Sequence, residues 1–222
     1  MDTFLYAILA ALYAVLLVYG LRIGLRDRHM GARYLLFLVT ASLIWDNGIV
    51  ALGRAIGEGT LLERLNLSRF WLHAFVTPLL APIAWDIAGR AGHPFALKPA
   101  TRLIAWIAVP ALILLELFTS TLGLELTPSR EYGALRYVPV ESSGPPIMVL
   151  LILIPLVVAG ILVWRRRRWP WMFAGTALMA AGSAIPFPIE SSAAVNVFEW
   201  LQLLSLWLTI DRLARDRADG GG

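Results

Sequence analysis

Asp46, Glu116, Glu199 and His73 each sit inside a long apolar stretch of this 222-residue chain. An ionisable group near the centre of a membrane-spanning stretch costs about 2.5–3.5 kcal/mol. It is retained where it faces the protein interior, finds partners or does chemistry. Asp46 and its neighbour Asn47 lie in Thr40-Ala-Ser-Leu-Ile-Trp-Asp-Asn-Gly-Ile-Val-Ala-Leu-Gly53. One role for Asp46 is to tie helices together through hydrogen bonds. The other is chemistry, which needs further polar groups at the same depth.

A helix rises about 1.5 Å per residue. Counted from the basic ends of their apolar runs, Asp46 lies roughly 18 Å up, Glu116 and Glu199 roughly 20 Å, and His73 roughly 22 Å. Four ionisable residues on four helices therefore share one level, with Thr77 nearby. Arg54, Glu58, Arg69 and Glu190 fall at the rim above it. Asp86 and Asp211 lie near the opposite ends, beside Arg90 and Arg212, and read as interfacial ion pairs. Several carboxylates in a low-dielectric site cannot all stay ionised without partners, so at least one holds a proton. That is the requirement for a general acid. Asp46, Glu116 and Glu199 are thus the expected catalytic residues. Trp45, Trp71, Trp106 and Trp200 are expected to line the substrate, since aromatic faces stabilise nearby cations. Asn47, His73, Asn196 and Gln202 complete the expected binding set.

The elements that must position these groups follow from composition. The chain is 59% hydrophobic and 15% charged, too apolar for an ordinary soluble domain. Seven runs approach the roughly 20 apolar residues that cross a hydrocarbon core. They fall at 3–22, 34–52, 70–88, 103–121, 146–164, 169–187 and 195–212. The expectation is an all-α, seven-helix transmembrane bundle over 1–217, one domain, with a disordered tail at 218–222. Most of the 19 basic residues fall after runs 1, 3, 5 and 7, including Arg22 to Arg33, Arg90 to Arg102 and Arg165 to Arg168. The positive-inside rule then places the C-terminus in the cytoplasm and the N-terminus outside. Met-Asp-Thr lacks the basic region of a cleaved signal peptide, so the first run is read as a true helix. The implied location is the plasma (inner) membrane, multi-pass.

Smaller features fit that frame. Trp164, Trp169 and Trp171 flank the four arginines as an interfacial anchor. Pro78, Pro82, Pro110 and Pro155 interrupt spans, and neighbours must satisfy the freed carbonyls. Gly175, Ala181 and Gly182 allow close helix approach in the sixth run. Gly53-x-x-x-Gly57 supports helix contact, within the chain or in a homo-oligomer. The segment 122–145 carries Pro128, Gly133 and Pro139 and reads as a short hairpin or lid. Asn66-Leu-Ser68 has the glycosylation-acceptor spacing. No cysteine is present, so disulfides and thiolate chemistry are excluded.

The stretch Arg22-x-Gly24-x-x-Asp27-Arg28-x-x-Gly31, followed by Trp45-Asp46, resembles the opening of the membrane-integrated terpene cyclases. These are small seven-helix proteins of fungal meroterpenoid and some bacterial indole-terpenoid pathways. The resemblance covers residues 22–46 together with helix count and size. It implies a metal-independent cyclase of lyase or isomerase type that protonates an epoxide or olefin of a prenyl chain, with no cofactor. The family's second helix carries a tryptophan and a catalytic glutamate, a place held here by Trp45 and Asp46. Its second acid, in the last helix, would fall on Glu199 or Asp211. The aspartate is one methylene shorter than the family's glutamate, and the segment from Gly53 to Pro78 carries no motif of that family.

Other classes fit less well. A retinal Schiff base needs a lysine within a helix, and the single lysine, Lys98, lies in a loop. His29 and His93 lie at the opposite side from His73, against a bis-histidine haem. One in-membrane histidine is thin support for a zinc hydrolase. Nothing in the charge pattern points to nucleic acid. The non-enzyme rival is a small-molecule or lipid transporter or binding protein with a proton-linked polar pocket, in which runs 1–3 and 5–7 share a direction. The expected partner is a membrane lipid or a prenylated small molecule.

Overall fold

The computed structural model describes residues 1–27, 31–141, 147–184 and 190–219, with side chains through 216. Of the tail expected at 218–222, residues 218 and 219 continue the last helix, while 220–222 and the end of the run 169–187 lie outside the described residues. Helix α1 spans Asp2–Arg26, α2 Leu36–Ile56, α3 Thr60–Val76 and α4 Leu80–Arg90. A short α5 (Pro94–Leu97) leads into α6 (Pro99–Glu116). A hairpin of β1 (Leu126–Glu131) and β2 (Ala134–Pro139) follows, then α7 (Ile147–Arg167), α8 (Trp171–Ala184) and α9 (Ala194–Asp219).

Five helical segments among the described residues are long and apolar enough to cross a membrane. They are Asp2–Arg26, Ala32–Ile56, Thr60–Arg90, Pro99–Thr121 and Ile147–Arg167. The third is two helices joined by a 3₁₀ turn at Thr77–Leu79, where Pro78 removes a backbone donor. Its start is also earlier than residue 70, so Arg64 and Arg69 belong to α3 and not to a loop. The described residues are mostly helical, as expected, and the segment 122–145 holds a two-stranded hairpin. Its register pairs Leu126 with Pro139 and Glu131 with Ala134. The two loop residues, Tyr132 and Gly133, both have positive φ, at 49° and 83°. That is the backbone of a type I′ turn, whose twist matches paired strands.

Packing neighbours run α3–α2–α1–α9–α8–α7–α4–α6. Helix α4 is the most enclosed, with Ile83, Ala84, Ile87 and Ala88 inaccessible. Trp207 of α9 is also fully buried, stacks at a tilt on Phe37 and donates from its indole nitrogen to Thr40 at 3.1 Å. Gly175 and Gly182 let α8 lie directly on Ser205 and Phe198 of α9, as small residues in that run suggest. Gly53 acts differently from the helix-contact reading. A β-carbon there would collide with the Leu135 carbonyl, so this glycine seats the hairpin on α2. Gly57 makes no close contact; its φ of 83° ends α2. Asn66 is fully buried and bonded to the Leu62 carbonyl and to Arg69, so the acceptor motif it belongs to is closed to modification.

The charged groups at the other end pair differently from their sequence neighbours. Asp86 accepts from Arg33 at 2.8 Å, while Arg90 reaches Asp27 at 2.6 Å. Arg33 and the Tyr34 hydroxyl also bind Asp27, each at 2.9 Å. Asp211 pairs with Arg215 and Tyr19, and Arg212 with Asp216. Asp27, from the stretch that carries the cyclase resemblance, is therefore the hub of a clasp joining the ends of α1 and α4. Asp2 fastens the opposite end, where its buried carboxylate accepts from Ser191 and from the amide and hydroxyl of Ser192.

Candidate functional site

One cavity of about 240 Å³ opens between α1, α2, α3, α7, α8 and α9, with β2 contributing at one end. It is near the lower end of ligand pockets, which run from roughly 300 Å³ upward. Asp46, His73 and Glu199 all line it. Asn196 and Gln202 line it as well, on successive turns of α9. Positions 196, 199, 202 and 203 fall on one helical face, which explains why α9 can hold four lining side chains. Val39, Leu43, Ile152, Leu153, Met179 and Leu203 supply apolar wall.

The bonds inside the cavity divide its acids. Arg69 donates from Nε to Asp46 at 2.7 Å and from Nη1 to Asn66 at 2.8 Å. The two charged side chains are only 13% and 24% exposed, so this pair is shielded from water. Glu199 has no hydrogen-bond or ion-pair partner among the described residues. His73 Nδ1 shares a 3.2 Å bond with the Thr77 hydroxyl. No other hydrogen bond of the imidazole is made among the described residues. Among the described residues, no group of three or more His, Asp and Glu side chains is arranged to hold a metal.

Other expected site residues lie elsewhere. Glu116 is half-buried at the end of α6, which packs chiefly on α4, and does not line the cavity. Its depth matches Asp46, but its helix stands in another layer. Trp45 faces outward, 46% exposed, and donates to Ser68 at 3.0 Å. Trp71 stacks on Phe75, with ring centroids 5.9 Å apart. Trp106 borders a different cavity, with Asp86 and Arg102. Trp200 packs against the core. None of the four tryptophans lines the cavity that holds Asp46. An aromatic cage around the acids is therefore not what this fold builds. Asn47 is buried behind the wall, donating to the Leu43 carbonyl and accepting from Asn196 at 3.1 Å. It orients a lining residue without lining the cavity itself.

Two charged lining residues, Arg69 and Arg136, lie outside the expected site. Arg69 was placed at the rim because the apolar run begins at residue 70, yet Leu61, Leu62, Leu65 and Leu72 continue one helix across that boundary. Arg136 comes from the hairpin. Strand side chains alternate faces, and Leu135 and Tyr137 pack with Ile49 and Leu62 while Arg136 lines the cavity. No spacing in the helices could have found it. No protein-family model matches the chain, and no curated protein matches it in sequence.

Proposed function

We propose that the chain is a multi-pass integral membrane enzyme that performs acid–base chemistry on an isoprenoid or other lipid, of the terpene-cyclising type, in this cavity. The observation that carries the reading is the meeting of Asp46, His73 and Glu199 in one apolar-walled space. Glu199 is the proton donor, because among the described residues it has no hydrogen-bond or ion-pair partner, and an unpaired carboxylate in an apolar-walled cavity is costly. Asp46, held by Arg69, is the charge that stabilises a developing cation. Glu199 delivers its proton to a prenyl olefin or epoxide. The cation formed is attacked by the next double bond, and His73 removes a proton from the adjacent carbon. Product and substrate then have the same composition, and Glu199 regains its proton from solvent or His73.

The membrane setting belongs to the same proposal. Only 11% of the apolar stretch in Pro99–Thr121 is buried in the protein, so α6 presents its sides to lipid. Helices α8 and α9 complete seven spans. Asn196, Glu199 and Gln202, three of the polar residues in the apolar run of α9, line the cavity. Polar side chains turned to the bundle interior are those a membrane tolerates.

The test is product formation from prenylated substrates, read by mass spectrometry beside melting temperature in detergent. Glu199→Gln should fold normally and lose turnover by about 10²-fold or more. Unchanged turnover in Glu199→Gln rules the acid assignment out. Proton-driven uptake of an unaltered ligand into vesicles, without any product, supports transport instead.

A further inference from the structure

The cavity changes character along its length. At the hairpin end lie Arg136, Arg69, Asp46 and Ser192. Following α2 away from that end gives Leu43 and then Val39; following α3 and its extension gives His73, Thr77 and then Leu80. On α9 the order is Asn196, Glu199, Gln202, Leu203. From Asn196 to Leu203 is about 10 Å of helix rise. The space is therefore charged at one end, ionisable in the middle and apolar at the other.

The charged end has unused donors. Arginine carries five N–H groups. Arg69 uses Nε and Nη1, which leaves the Nη2 edge. Arg136 has a buried Nε with no partner, and its Nη2 makes only a 3.4 Å contact with the exposed Glu131. Asp46 neutralises Arg69 within the cavity, whereas the carboxylate that reaches Arg136 is Glu131, half-exposed and at 3.4 Å. A buried donor left empty costs about 1–3 kcal/mol. An oxyanion is the partner that a guanidinium fork matches in shape and charge. Deeper in, Gln202 Nε2 is also buried and unpartnered.

We infer that the cavity takes an amphiphile with an oxyanion headgroup, a phosphate or carboxylate, bound by Arg136 with help from Arg69 and with its chain running past Glu199 toward Val39 and Leu203. This rests on the reading of the cavity as a lipid site and names its substrate class. The headgroup fixes which carbons stand beside Glu199 and His73.

The full-length protein in phosphatidylcholine nanodiscs is titrated with geranyl phosphate, geraniol and inorganic phosphate, with empty discs subtracted. Geranyl phosphate should bind at least about tenfold more tightly than geraniol, the scale of a charge-assisted bond. Inorganic phosphate should compete only weakly. Arg136→Gln should lose about tenfold for geranyl phosphate and nothing for geraniol, while Arg136→Lys keeps part of the preference. Equal binding of geraniol and geranyl phosphate by the wild type overturns the inference, whether or not the variants fold. Equal competition by inorganic phosphate makes this a free-anion site and overturns the amphiphile. An unaffected Arg136→Gln removes Arg136 from it. Glu199→Gln should bind geranyl phosphate as the wild type does. Its turnover therefore tests the acid chemistry separately from the headgroup.

Discussion

Asp46 and Glu199 have the same functional group in different settings because of one neighbour. Arg69 reaches Asp46 from the next helix at 2.7 Å, and no ion pair of this kind reaches Glu199 among the described residues. A shielded ion pair is costly to break from one side, because the survivor is left uncompensated. Asp46→Asn and Arg69→Gln should each destabilise the fold, and the double variant should lose less than the sum. We expect a coupling of about 1 kcal/mol, below the fully buried range because both side chains keep some solvent access. Chemical unfolding of the two single variants and the double variant measures it. Strict additivity would show that the two side chains do not act as a pair. Glu116 shows the other side of residue-scale reasoning. It shares the level of the acids and belongs to a helix that does not reach them.

At the scale of elements, the hairpin is the part that turns a cleft among helices into a cavity with a charged end. It is held by packing of Leu135 and Tyr137 against α2 and α3 and by the close approach of its backbone to Gly53. The Tyr137 hydroxyl also accepts from the Gly59 amide at 3.1 Å. The exposed Arg130–Glu58 pair adds little by comparison. Gly53→Val should lift the hairpin and leave the bundle intact. Amide exchange across 126–139 should then rise by about tenfold or more while α9 stays protected. Affinity for geranyl phosphate should fall as it does in Arg136→Gln. Unchanged exchange in the hairpin would show that Gly53 does not seat it.

The whole molecule has two fastened ends. One is the Asp27 clasp with Arg33, Tyr34 and Arg90, and the other is Asp2 on Ser191 and Ser192. The hairpin and the charged end of the cavity lie with Asp2, and the four-arginine segment lies at the far end of α7. Under the proposed orientation the clasp is cytoplasmic and the cavity lies toward the outer surface. A reporter fused after Arg168 should be active only inside. Activity outside would invert the orientation and put the cavity toward the cytoplasm.

Apolar runs near twenty residues long set where the long apolar helices form, and five helical segments among the described residues are long and apolar enough to cross a membrane. Depth along each helix was also legible, since rise per residue is constant, and it put Asp46, His73 and Glu199 on one level. A short hairpin or lid was suggested by Gly133 and the flanking prolines, but the turn type was not. Rotation and layer were not legible. They decide that Glu116 and the tryptophans stand away from the cavity, that Asp86 pairs with Arg33 and not Arg90, and that Arg69 reaches down to Asp46. These depend on which helix faces meet, a property of packing between segments distant in the chain. Arg136 is the clearest case: its strand alternation is local, but what it borders is set by the contact of Gly53 with Leu135, 82 residues further along.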